Sequence, residues 1–155
     1  MTIKKTKETK KESITIGFLF ESNKDRLKLK SLTDDAGFTK EISDKNVHRP
    51  GLALAGYVQL FRYDRIQIFG NTEMRYLEHL DASQRRKSLT TVLQFDIPCI
   101  FITNDNPVDD MLLEIARERK IPLFQSSFET TKFIYILSDF LDDQFSPQTV
   151  VHGSF

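Results

Sequence analysis

Residues 48–73, HRPGLALAGYVQLFRYDRIQIFGNTE, run through a turn, a short helix, a connector, a strand, a glycine turn and the start of another helix. Pro50 suits a first helical turn, where its missing N–H has no partner to lose. The helix it opens is predicted to reach about Tyr57, with Leu52, Leu54 and Ala55 as its apolar contacts. Residues 65–69 (RIQIF) form a strand that Gly70 ends. Asn71 or Thr72 is placed to cap the following helix, whose apolar face carries Met74, Leu77 and Leu80.

The same alternation continues downstream. Residues 83–95 read as a helix with Leu89, Val92 and Leu93 inward. Residues 98–102 (PCIFI) are continuously apolar, as a strand buried on both faces requires. Asn106 is the expected cap of the next helix, with Pro107 at its first position. Asp109 and Asp110 then lie in the first turn, and Arg117, Arg119 and Lys120 near the end, as the helix dipole favours. Val108, Met111, Leu112, Ile115 and Ala116 make one stripe along it. Residues 121–124 (IPLF) read as a short strand. Ser126 and Glu129 have capping-box spacing before a helix that packs Phe133, Ile134, Leu137, Phe140 and Leu141. After Asp142 and Asp143 a loop with Ser146 and Pro147 is expected, then the opening of a strand in VVHGSF.

Upstream the signals are shorter. Residues 13–20 begin like a strand, with Phe18, Leu19 and Phe20 open to a helical reading. Leu27, Leu29 and Leu32 suggest a half-exposed strand, residues 34–37 (DDAG) break it, and residues 41–43 suggest another. Strands alternating with helices predict an α/β protein, a layered αβα fold with a mostly parallel sheet of about four to five strands and as many helices.

At 155 residues the chain is long enough for one domain with its own core. Zero formal net charge gives no bulk attraction to nucleic acid or membrane. Residues 1–13 nevertheless hold five Lys against two Glu and lack an apolar run, so a disordered, solvated tail is expected there. No apolar stretch approaches a membrane span and none resembles a signal peptide, so a cytoplasmic location is expected. A single cysteine excludes a disulfide within the chain.

Chemistry-bearing motifs are sparse. The six glycines are scattered and none precedes GK[ST], so the chain lacks a phosphate-binding P-loop. His48, His79 and His152 share no ligand spacing, and no metal site is expected. Cys99 sits within PCIFI as a buried thiol. Arg85, Arg86 and Lys87 read as one solvated helix face. Three loops fall on the edge of the sheet where open α/β folds hold ligands. They carry Arg49, then Asn71, Thr72 and Glu73, then Thr103 and Asn104, and these residues are the candidate ligand or interface site. Thr130, Thr131 and Lys132 lie early in a helix and either line a cleft or face solvent.

HRPGLALAGY, DRIQIFGNTE, IPLFQSSFETTKFI and VVHGSF, in this order, resemble the amino-terminal domain of HPr kinase/phosphorylase, the bacterial serine kinase of the phosphotransferase carrier HPr. The resemblance implies a domain over residues 14–143, similar in fold to the amino-terminal domain of the Mur ligases. It implies that residues 144–155 are a linker and the start of a catalytic domain, in which VHG precedes the phosphate loop. The chain stops before that loop, so no catalytic residue carries over, and a non-catalytic regulatory or assembly domain is the expected role. The full-length family enzymes use ATP or pyrophosphate with Mg, form hexamers, and both phosphorylate and dephosphorylate a serine of HPr. The implied partners are the protein's own kinase domain, neighbouring subunits, and HPr through the missing domain. DRTGG modules, regulatory units that point instead to sensing of a small anion, are the alternative. Asp64-Arg65 lacks their Gly-rich context, and the RPG and VHG pieces favour the kinase.

Overall fold

The computed structural model describes residues 3–9, 11–146 and 148–153, with side chains for 11–146. In chain order the elements are β1 (Ile3–Thr9), β2 (Ile14–Thr15), α1 (Ile16–Asn23), β3 (Leu29–Ser31), β4 (Glu41–Ile42), β5 (Val47–His48), α2 (Gly51–Leu54) and β6 (Ile66–Phe69). They continue with α3 (Asn71–His79), α4 (Ala82–Leu93), β7 (Ile100–Ile102), α5 (Asp110–Arg119), β8 (Leu123–Ser126), α6 (Thr130–Phe145) and β9 (Gln148–Gly153).

The central sheet has five strands in the order β3-β8-β7-β6-β5. β5 to β8 are parallel and β3 runs antiparallel at the edge. β6 and β7 are buried at every position, because helices cover both faces. Strand alternation divides the core in two. Phe69, Ile100, Ile102 and Leu123 meet side chains of α2, α3, α4 and α5. Ile66, Ile68, Phe101 and Phe124 meet α1 and α6. The layered α/β architecture with a mostly parallel sheet is therefore as expected.

Several local expectations are corrected. The helix after Pro50 is a single turn. Gly56, at φ +106°, ends it, with the Tyr57 N–H donating to the Leu52 carbonyl at 2.9 Å. That turn buries Ala53 and Leu54 and leaves Leu52 and Ala55 exposed. Neither Asn71 nor Thr72 caps α3; Gly70 takes the cap position and Glu73 supplies the acceptor. Asn106 does not cap α5, because its amide donates to the Thr103 carbonyl at 2.8 Å and to Asn71 Oδ1 at 3.0 Å. Asp109 caps that helix instead. The Ser126 hydroxyl donates to the Leu27 carbonyl at 2.6 Å and accepts from the Phe128 N–H at 3.1 Å, short of the helix, so Glu129 alone caps α6. The same helix continues past Asp143 to Phe145, a ring that belongs to the core.

The Lys-rich start is the largest difference. Residues 3–9 form β1, paired antiparallel with β9 from Thr9↔Gln148 to Ile3↔Gly153. Charge counting overlooked the β-branched Ile3, Thr6 and Thr9, and the Val150-Val151 run opposite them. Residues 1, 2 and 10 of the expected tail, Pro147 of the expected loop, and residues 154 and 155 lie outside the described residues.

Candidate functional site

Parallel strands deliver their loops to one edge. Arg49 follows β5, Gly70 follows β6, Thr103 follows β7, and Thr130 opens the helix after β8. Five of the six expected residues take part in hydrogen-bonded clusters there, and Thr72 stands exposed beside them.

The first cluster centres on Glu73, which is 3% exposed. Its Oε1 accepts from Arg49 Nη2 at 2.8 Å, from Arg49 Nε at 3.2 Å, and from the Gly70 N–H at 2.7 Å. The last contact satisfies an orphan donor at the α3 N-terminus, and the negative charge suits that end of the helix. Arg49 lies across Gly70 so closely that a Cβ there would meet Nη2 at 2.7 Å and Thr130 Oγ1 at 2.8 Å. Glycine is needed for this approach rather than for an unusual φ.

Thr130 is the hub of the second cluster. Its hydroxyl accepts from Asn104 Nδ2 at 2.7 Å and is hydrogen-bonded to the Thr103 hydroxyl, also at 2.7 Å. Asn104 and Asp105 are both left-handed, at φ 59° and 53°. That conformation lets their N–H groups reach the carbonyls of Phe128 and Ser126. Topology explains why these loops meet. The helix after β7 covers one face of the sheet and the helix after β8 covers the other. Adjacent loops that part in this way open a crevice, the usual ligand position in such sheets. Here the Thr103–Thr130 and Asn104–Thr130 bonds span it.

Residue order alone missed Thr130 as a hub and Asn106 as the partner of Asn71. The only sequence signal for Thr130 was its place at the start of the helix after a buried strand. Arg85 also departs from the expected solvated face. It donates to the carbonyls of Leu77 and Leu80 and pairs with Asp109 at 2.7 Å, whereas Arg86 stays exposed.

His48, one residue before Arg49, has its pKa lowered, first by burial and then by Arg65 and Arg62. Burial pushes the Cys99 thiol up, so it is protonated at neutral pH, in keeping with a packing role. No group of three or more His, Cys, Asp or Glu placed to hold a metal occurs among the described residues. No described helix is long and apolar enough to cross a membrane.

Residues 14–141 match the family described as HPr Serine kinase N terminus. The HPr kinase/phosphorylase of Chloroherpeton thalassium is 45% identical over 152 residues, which are 97% of this chain and 45% of that protein. That of Chlorobium limicola is 44% identical over 151 residues, 96% of this chain and 46% of the relative. The chain thus spans just under half the length of these relatives. Among solved structures, the fold is similar to the CBS and DRTGG domains of the regulatory region of Clostridium perfringens pyrophosphatase, complexed with its activator diadenosine tetraphosphate. The TM-score is 0.55 at 10% identity, over 86% of this chain and 55% of that one.

Proposed function

This chain belongs to the HPr Serine kinase N terminus family, and from that premise we propose that it is a non-catalytic regulatory or assembly domain of an HPr kinase/phosphorylase. The observation that carries the reading is the state of the ligand edge. Arg49 and Glu73 tie the loops after β5 and β6, Asn71 and Asn106 those after β6 and β7, and Thr103, Asn104 and Thr130 those after β7 and β8. A rigid tie of this kind suits a scaffold. Serine phosphorylation of HPr, with ATP or pyrophosphate and Mg, is then the work of the further half that the relatives carry. Neighbouring subunits and that kinase domain are its partners in a cytoplasmic hexamer. A fold akin to the amino-terminal domain of the Mur ligases belongs to the same proposal.

The test is direct. Residues 1–155, incubated with HPr, ATP and Mg, should yield no phosphoserine. A chimaera in which this chain replaces the matched segment of the Chloroherpeton thalassium relative should assemble and phosphorylate HPr as that relative does. Phosphorylation by the short chain, or a folded chimaera that fails to assemble, would refute the reading.

A second reading is favoured by the pyrophosphatase likeness, a DRTGG-containing regulatory region with a phosphorylated activator. By that analogy Arg49 serves as a sensor of small anions. A thermal-shift series with phosphorylated metabolites tests it. A response that survives Arg49→Ala rules this position out.

A further inference from the structure

We propose that Glu73 is a built-in competitor for Arg49, so that an oxyanion gains the Nε–Nη2 edge of this guanidinium only by displacing the chain's own carboxylate. The inference rests on the anion-sensing reading and adds its regulation. Glu73 Oε1 uses a single oxygen to hold two elements: the Arg49 side chain from the β5–α2 turn, and the Gly70 N–H at the head of α3. The carboxylate is buried, whereas the Arg49 side chain keeps 39% of its surface open to solvent. Solvent therefore approaches the cation and not its partner. Gly51 lies on the far side of the same carboxylate, where a Cβ would be 3.7 Å from Oε2, so the acid is enclosed between the two turns.

An incoming phosphate competes for the donors that Glu73 now satisfies. If it takes Arg49, the buried carboxylate loses its counter-charge, which is costly in a dry site. The carboxylate then has to leave, and Gly70 loses its acceptor. Binding would thus be read out as loosening of the first turn of α3. A ligand of higher charge than a carboxylate is favoured in this exchange, which selects a phosphate dianion or the more highly charged pyrophosphate.

Glu73→Gln tests the exchange without removing volume. The amide oxygen still accepts from Gly70, but the charge opposing the ligand is gone. With pyrophosphate as the probe in calorimetry, Glu73→Gln should bind at least tenfold more tightly than the unmodified chain, and Glu73→Gln/Arg49→Gln should not bind. In hydrogen exchange, pyrophosphate should deprotect residues 70–74 in the unmodified chain and not in Glu73→Gln. Equal affinities that depend on Arg49 would leave the sensing reading standing and overturn the competitor. No pyrophosphate binding to either protein would overturn both.

Discussion

The absence of one methyl group at Gly70 decides how closely the two halves of the ligand edge approach. In Gly70→Ala the new Cβ would lie 2.7 Å from Arg49 Nη2 and 2.8 Å from Thr130 Oγ1. The guanidinium sits at the end of a flexible side chain and can withdraw. The Thr130 hydroxyl is held by two hydrogen bonds and cannot do so without breaking them. The substitution should therefore cost roughly 1–3 kcal/mol by overpacking, and a further Arg49→Ala should recover only part of it. Urea unfolding of the three variants measures both quantities. His48 supplies a second prediction at this scale. Its folded pKa lies below the ordinary 6.5, so the folded state favours the neutral ring. The stability it contributes is complete above 6.5 and is lost as pH falls through the lower folded value. Asp44, Asp64 and Glu129 are also held below their ordinary values and titrate further into acid. For Asp44, burial acts upward, but the Asn46 N–H and Arg65 outweigh it. Stability should fall as pH drops below 6.5, and His48→Phe should flatten that slope.

Helix starts show what the order of residues reveals about an element and what it hides. Asp109 Oδ1 accepts from the Met111 N–H at 2.6 Å, and Oδ2 pairs with Arg85. Asp109→Ala should cost about 1–2 kcal/mol, since a cap and a half-buried pair are both lost. Asp109→Asn should restore most of this, because Asn caps as well as Asp and a pair near the surface contributes less than about 1 kcal/mol. Chemical denaturation of the two variants separates the terms. Sequence spacing placed the cap three residues early, at Asn106, because Asn-Pro is a strong local signal. What overrode it is a contact with no local signature, the bond from Asn106 to Asn71, 35 residues away. Ser126 misled in the same way through Leu27, 99 residues distant. Buried strands were legible as unbroken apolar runs and amphipathic helices by their period, as PCIFI and the α5 stripe show. Five residues of the candidate edge were legible because parallel strands must deliver their loops together. Thr130 as the hub was not, since that role depends on which face α6 covers.

At the scale of the molecule, one sheet separates two cores that cannot be independent, because neighbouring residues of the same strand serve opposite sides. Ile100 and Ile102 enter the α2–α5 side, and Phe101 between them enters the α1–α6 side. The Phe101 ring stacks on Phe124 at 5.1 Å and meets Phe133 at 5.1 Å, while Phe124 in turn stacks on Phe20 at 5.2 Å. One ring therefore joins α6, β7 and β8 directly, and α1 through its neighbour. Phe101→Ala should cost about 3–5 kcal/mol, a large share of the roughly 5–15 kcal/mol that holds a domain of this kind together. Because the strand backbone is common to both faces, the loss should reach the far side as well. Hydrogen exchange should show α4 losing protection in step with α6, and urea melting should remain a single transition. Loss of protection in α1 and α6 with α4 unchanged would mean that the two helical layers unfold separately. The sheet would then be a boundary between them rather than their shared core.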